Sequence, residues 1–285
     1  MSALSARAPG KVNLCLYLGP RRQDGLHELV SLVQAVSLAD ELRLEPTGAG
    51  RDEVECPDVE GQNLAEEALR AYREAGWDGP PQRLRIDKRV PVAAGMGGGS
   101  GDAAAALRLA AHAAGRPDDA ALERIAPALG ADVPAALRPG LALVEGAGER
   151  VRRLEPLAPF ALLVVALPHR LATAEVYREA DRLGLPRLVD ELSLRRSWIE
   201  ASLGPGGLLP PELLHNDLEP AARSLCPAIE PELARLRELG ALRAIVTGSG
   251  PTVVGLFRRR GSDVPGGTWV EPVGEEAGAV GEVAP

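Results

Sequence analysis

Five of the seven positions 95–101 in this 285-residue chain are glycine (Gly95, Gly97, Gly98, Gly99 and Gly101), and the segment runs straight into the alanine-rich stretch 103–114. Glycine lets successive backbone N–H groups converge on an anion with no Cβ in the way. Ser100, Gly101 and Asp102 supply helix-start chemistry. The helix predicted over 103–114 adds its own unpaired N–H groups and about half a positive charge at the loop end. The ligand that suits this geometry best is a nucleoside triphosphate. A flexible linker is the plain alternative, but linkers are not flanked by a patterned strand and a strong helix. The residues after the glycines read Ser-Gly-Asp, not Gly-Lys-Ser/Thr, which excludes a Walker A loop. No strand-plus-acid unit supports a dinucleotide fingerprint either.

The rest of the composition narrows the field. The length allows two domains, no apolar run approaches 18 residues, and 1–10 lacks the apolar core of a signal peptide, so a cytoplasmic protein with no membrane partner is expected. A net charge of −8 with no basic, aromatic-laced stripe argues against nucleic acid and for a small-molecule substrate. Cys15, Cys56 and Cys226 are scattered, and the four histidines do not cluster with them. Neither a disulfide framework nor a protein metal site is expected, and a metal would arrive with the nucleotide. Of 32 basic residues, 30 are arginine and only Lys11 and Lys88 are lysine. A planar guanidinium does not replace a compact ammonium in a tight site, so both lysines are candidates for function.

Alternation and apolar runs predict strands at 12–18, 29–38, 41–44, 84–88, 141–145, 161–166, 244–246 and 252–257. Helices are expected from Asn63, with Glu66 at the capping-box position, to Gly76; near 118–129, ending at Gly130; from a Thr173 cap to Gly184; and near 212–224 and 230–239. Strands and helices mix without a repeating βαβ rhythm, which indicates an α+β chain. The break at 156–159 divides it into domains 1–156 and 157–270, with an acidic, glycine-rich tail, 271–285, expected to be disordered.

Several short segments carry chemistry. Ala8-Pro9-Gly10-Lys11-Val12-Asn13 presents a lysine and an amide at the mouth of a strand. Asp132 sits in the turn Gly130-Ala131-Asp132-Val133-Pro134, where a carboxylate is aimed into a cleft or simply serves the turn. Phosphoryl transfer needs a nucleotide cradle, Mg²⁺, a group to orient the acceptor hydroxyl and a cation against developing charge, and these segments hold candidates for each protein part. Asp24-Gly25-Leu26-His27-Glu28 reads equally as a substrate contact and as a β-turn. The same ambiguity attaches to 215–219 and to the small-residue turn 248–252.

The order of these motifs resembles the galactokinase, homoserine, mevalonate and phosphomevalonate (GHMP) kinase superfamily over roughly residues 7–257. The resemblance implies a two-domain GHMP kinase fold: an N-terminal domain like the second domain of ribosomal protein S5, a C-terminal α/β sandwich, and an active site in the cleft between them. It implies ATP and Mg²⁺ as cofactors, Asp132 as catalytic base and Lys11 as its charged partner. Pro91, Ala94, Gly95, Met96, Gly97, Gly98, Gly99, Ser100 and Gly101 would hold the ATP phosphates, with Asn63 and Lys88 along the nucleotide. Asn13, His27, Thr173, Tyr177, Gly248 and Ser249 would bind the acceptor, His27 reading a cytosine and Tyr177 stacking on it. The position before His27, usually aromatic among members that take a cytidyl acceptor, is Leu26. A homoserine- or mevalonate-type kinase and a non-catalytic nucleotide or sugar sensor are the alternatives, and a monomer or homodimer is expected.

Overall fold

The computed structural model describes residues 3–57, 61 and 63–283. Its frame is a long antiparallel pair, β1 (Leu4–Arg21) and β2 (His27–Pro46). The first half of β2 pairs with β5 (Leu141–Gly146), which pairs with β6 (Arg150–Arg153); its second half pairs with β4 (Gln82–Asp87), whose other edge carries β3 (Glu53–Glu55) in parallel. The sequence predicts two strands where β2 runs unbroken. The reason is Asp40, an unfavourable strand residue whose carboxylate here accepts the Arg89 and Val90 N–H groups and a proton of Lys88.

Four helices cover one face of this sheet: α1 (Leu64–Glu74), α2 (Gly98–Ala113), α3 (Ala121–Leu129) and the single turn α4 (Val133–Ala136). Leu42, Leu44, Leu84 and Ile86 of the sheet meet Leu69 and Tyr72 of α1 and the fully buried alanines of α2. Asn63 caps α1 through its Oδ1, which accepts the Ala65 N–H at 2.9 Å; Glu66 contributes only its backbone, so the expected capping box is absent. Helix α2 begins at Gly98, five residues before the predicted start. Glycine is a poor helix former, but the alanine run behind it and burial against α1 and the sheet carry the helix back into the glycine segment.

A second, four-stranded antiparallel sheet has the order β11 (Thr268–Val270), β7 (Ala161–Val165), β10 (Val253–Phe257), β9 (Arg243–Val246). Helices α5 (Thr173–Arg182), α7 (Glu219–Leu225) and α8 (Ile229–Glu238) pack on one side of it through Leu163, Val165, Val246 and Val253. On the other side, Ile245 and Val254 share a core with Val12, Leu14, Val30 and Leu32 of the first sheet and with Leu192 and Ile199 of α6 (Val189–Ser202). The chain is α+β in two layered units, as expected. Other elements differ from the expectation: β1 extends well beyond the predicted 12–18, and the short elements β3, α4 and β11 are not foreseen. Neither β6, four residues of which three are arginine, nor α6, whose faces are mixed, carries a periodic apolar signal. The helix predicted near 212–224 is instead a 3-10 turn, a short strand β8 (His215–Asn216) parallel to β1, and α7.

The tail expected to be disordered is ordered through Val283. The Glu271 carbonyl accepts the Ser37 N–H, the Val273 N–H donates to the Ala35 carbonyl, Gln34 Nε2 donates to the Val273 carbonyl, and β12 (Val280–Glu282) pairs with residues 4–6 of β1. Order here comes from backbone ladders on two strands rather than from buried side chains, which is why composition misses it.

One ion cluster joins the two units. Asp217 accepts the Leu18 N–H of β1, both ends of the Arg187 guanidinium and His215 Nε2. Burial pushes its pKa up, but these bonds outweigh burial and hold the carboxyl below the usual aspartate value. A depressed folded pKa means stability that is complete above the unfolded pKa and lost as pH falls through the folded one. Asp217→Ala should cost about 3–5 kcal/mol at pH 7 in denaturant unfolding, by stranding Arg187. The difference from the parent should shrink as pH drops below about 4; a pH-independent difference would show that charge is not the cause.

Candidate active site

Strand β1 builds the site. Its register against β2 slips between Pro9 and Lys11, between Asn13 and Cys15 and between Leu18 and Arg21; between the first two slips Lys11 lies opposite Ala35 and Asn13 opposite Val33, positions whose backbone N–H groups face away from β2. The Lys11 N–H donates to the Met96 carbonyl at 2.9 Å, docking the glycine loop, and the Asn13 N–H donates to Thr247 Oγ1 at 3.0 Å, docking the loop after β9. Between these loops lies a cleft of about 990 Å³, walled on one side by the glycine loop, Lys11 and Asp132 and on the other by the start of α5 and the turn at Gly248 and Ser249.

The glycines have separate jobs. Gly97 is the N-cap of α2 at φ +67°, and a Cβ there would lie 3.1 Å from Cγ and Cε of Lys11. Gly95, at φ +79°, passes so close to the loop after β9 that a Cβ would reach 2.6 Å from the Thr247 carbonyl oxygen. Gly99 faces open space, the nearest neighbour of a Cβ being Leu64 at 3.8 Å. No side chain caps α2, in contrast to the helix-start role expected of Ser100 and Asp102, so its first N–H groups and positive dipole end face the cleft. That is an anion cradle, and it fits a triphosphate. Two expected loop contacts do not reach the cleft. The Met96 side chain is in the core, and Gly101 lies against the Pro9 carbonyl.

Lys11 Nζ donates to Asn13 Oδ1 at 2.7 Å and lies 3.4 Å from Asp132 Oδ2. The Asn13 amide is oriented from behind, its Nδ2 donating to Ser31 Oγ and that hydroxyl donating to the Cys15 carbonyl. Asp132 is the N-cap of α4 but accepts no capping bond, which leaves its carboxylate 40% exposed in the cleft beside the ammonium.

At the far end, His27 Nε2 is 2.8 Å from Asp181 Oδ1, and the ring tilts on Tyr177 with centroids 5.2 Å apart. Tyr177 and Asp181 are four residues apart on α5, one face of one helix. Burial, helped by the Asp132 charge, pushes the Tyr177 hydroxyl up to about 12, so it stays a neutral donor. The turn before His27 is also well formed, with the Leu26 N–H on Asp24 Oδ1 and Gly25 at φ +84°. Leu26 is exposed on the cleft wall. Thr173 is the first residue of α5 and not its cap; its Oγ1 lies 3.2 Å from Ser249 Oγ.

Lys88 takes a different place from Lys11. Its ammonium is buried between Asp40 Oδ2 at 2.5 Å and Asp102 Oδ2 at 2.6 Å, and a Cβ on Gly98 would lie 3.2 Å from it. Its charge is engaged beneath the loop. Asp102 Oδ1 finds no partner, and burial raises this carboxyl to about 7 against the opposing pull of Lys88. Ser31, Asp40, Asp181 and Thr247 escape sequence reasoning because each acts through a strand or loop partner distant in the chain. Only Asp181 carries a local signal, its four-residue spacing from Tyr177. Among the described residues no group of three or more His, Cys, Asp or Glu side chains is placed to hold a metal ion, and no helix is long and apolar enough to cross a membrane.

The comparisons agree with this geometry. The family profiles described as "GHMP kinases N terminal domain" and "GHMP kinases C terminal" match residues 63–140 and 207–264. The 4-diphosphocytidyl-2-C-methyl-D-erythritol kinase of Anaeromyxobacter dehalogenans strain 2CP-1 is 41% identical over 264 residues, covering 90% of this chain and 81% of the relative. The enzyme of that name from Streptomyces coelicolor is 38% identical, covering 93% and 91%. A crystal structure of 4-(cytidine 5'-diphospho)-2C-methyl-D-erythritol kinase superposes with a TM-score of 0.69 at 37% identity, covering 88% of this chain and 89% of that one. A homoserine kinase from Cytophaga hutchinsonii superposes at 0.71 with 16% identity, a likeness of fold alone. The chain belongs to the GHMP kinase family. It is an ATP-dependent small-molecule kinase of that family's two-domain α+β fold.

Lys88→Met should lower stability by about 3–5 kcal/mol in thermal or urea unfolding, since it strands Asp40 and Asp102, while changing KM for ATP less than threefold. A large rise in KM with unchanged stability would instead make Lys88 a nucleotide ligand.

Proposed function

We propose that the chain phosphorylates the 2-hydroxyl of 4-diphosphocytidyl-2-C-methyl-D-erythritol, using ATP with Mg²⁺, in the non-mevalonate route to isoprenoid precursors. The observation that carries this reading is the joint presence of the Lys11–Asp132 pair under an uncapped glycine helix start and the His27–Tyr177 pair at the other end of one cleft. The near full-length relatives of that name support it.

The triphosphate would lie on the first turn of α2, with Gly97, Gly98 and Gly99 letting it approach the backbone N–H groups and Asn63 and Leu64 at the nucleotide side of the cleft. Magnesium would enter bound to the phosphates, where it neutralises their charge and that of the departing diphosphate. Asp132 takes the proton of the acceptor hydroxyl at its free carboxylate. Lys11, held by Asn13 and placed between Asp132 and Gly97, sets its charge against the phosphoryl group in transfer. Tyr177 and His27, the latter fixed by Asp181, grip the cytosine, and Thr173 and Ser249 line the wall between base and reacting hydroxyl. Leu26 offers the base an apolar surface in place of an aromatic ring, which keeps burial and loses stacking.

Incubation with Mg·ATP and the cytidyl substrate, with homoserine and mevalonate in parallel, should give ADP and phosphorylated product from the cytidyl substrate alone; turnover of another acceptor would redirect the assignment. Asp132→Asn should lower kcat by about 10³-fold or more with nucleotide affinity within threefold. Lys11→Arg should not restore the rate, because a planar guanidinium does not fit against Gly97.

A further inference from the structure

Asp132 sits at the head of α4, a helix of one turn that is too short to hold itself. The last carbonyls of such a helix have no intrahelical donors and need others. They are supplied by two arginines from different elements. Arg108 of α2 donates Nη1 to the carbonyls of Ala136 at 2.9 Å and Leu137 at 3.2 Å, and Nη2 to the Arg7 carbonyl of β1 at 3.0 Å. Arg153 of β6 donates Nη2 to the carbonyls of Ala135 at 2.7 Å and Pro134 at 3.4 Å.

The C-terminal tail lies over this arrangement. A Cβ on Gly278 would lie 3.2 Å from Cζ of Arg108 and 2.8 Å from Cγ of Pro139, so the tail backbone rests directly on the guanidinium and on the segment after α4. Gly274 approaches Gly140 in the same way, 4.0 Å from an added Cβ. Burial lowers both guanidiniums to about 10, and in each case the charge of Glu275, in the tail's 3-10 turn, pulls the other way. Both therefore remain charged at neutral pH.

We propose that residues 271–283 act as a strap which, through Arg108 and alongside Arg153 of β6, fixes the turn that presents Asp132 to the acceptor, so that the two arginines are positioning residues for phosphoryl transfer. This rests on Asp132 being the base. The geometry separates positioning from bulk stability: neither arginine lines the main cleft, Arg153 reaches only a small cavity behind Lys11 and Asp132, and their bonds to this turn end on the carbonyls of residues 134–137, just after Asp132 in the chain. A carboxylate displaced by about 1 Å from its hydroxyl costs up to a hundredfold in rate while leaving the triphosphate cradle untouched.

The test uses the full chain carrying Arg153→Lys, which keeps the charge but draws the donor back from the Ala135 and Pro134 carbonyls that Nη2 reaches, or Gly278→Val, which lifts the tail from Arg108. For each, kcat, KM for ATP and hydrogen exchange across 133–137 are measured. The expected result is a fall in kcat of at least about tenfold with KM for ATP within twofold, and faster exchange at those amides. If both variants stay within twofold of the parent kcat, or if KM for ATP rises in step with the loss of kcat, the strap is overturned. Should Gly278→Val fail to fold, Gly278→Ala takes its place for the strap, and Arg153→Lys, whose side chain is only partly buried, decides the second positioning residue. Asp132→Asn runs alongside. If it keeps the parent rate, the base assignment falls, and exchange at 133–137 still decides the strap, with unchanged protection in both variants overturning it.

Discussion

Two backbone N–H groups of β1, those of Lys11 and Asn13, face away from β2, and the rest of the site depends on where they go. One donates to Met96 and the other to Thr247, so a single strand holds one loop from each unit at a fixed distance. The same strand gives the Leu16 carbonyl to the Asp217 N–H and the Leu18 carbonyl to the Arg187 N–H. The cleft is therefore the gap between two loops tied to one backbone, and its width is set by covalent geometry as much as by packing.

The two lysines show why this chain keeps lysine anywhere. Arg108 uses its fork to join two elements, Nη1 on the Ala136 and Leu137 carbonyls and Nη2 on that of Arg7, and Arg153 reaches the Ala135 and Pro134 carbonyls with Nη2 at the end of its long side chain. Lys88 occupies a pocket between two carboxylates under a glycine, and Lys11 lies with its stem against Gly97 and its tip between an amide and a carboxylate. Both positions are crowded by a glycine whose added Cβ would lie within about 3.2 Å of the lysine side chain, which suits a compact ammonium better than a guanidinium. The compositional bias is thus informative for both residues, though only one of them faces the reacting groups.

Much of the site is legible in the sequence because its signals are local. A glycine cluster before an alanine run, a turn with an aspartate after a helix-ending glycine, and a lysine two residues before an asparagine are each readable within a short segment; the structure brings all three to one wall of the cleft, with Lys11 inside β1 and not at the strand mouth the sequence suggests. What escapes is non-local or backbone-borne. Asp40 is a mid-strand acid whose meaning appears only beside Lys88 and two distant N–H groups. The start of α2 is misplaced because propensity counts glycine against a helix, whereas burial of the alanine face decides it. The tail is misjudged for the complementary reason: composition measures side chains, and its order rests on main-chain pairing to β1 and β2.

These errors have a common physical source, and it bears on how the catalytic wall is kept in place. The cradle has to remain open, so α2 has no cap, its first turn carries glycines, and the Asp132 turn is a helix too short to be stable alone. Each of these is a local deficit. The compensation comes from elsewhere in the chain: Asp40 and Lys88 beneath the loop, Ser31 behind Asn13, and the guanidiniums of α2 and β6 beneath the Asp132 turn. A reader of local sequence sees the deficits as features, because they are where the ligand goes, and sees the compensation as ordinary strand, helix and tail. Only the fold joins the two, which is why the residues nearest the chemistry are the easiest to name and those that hold them are the hardest.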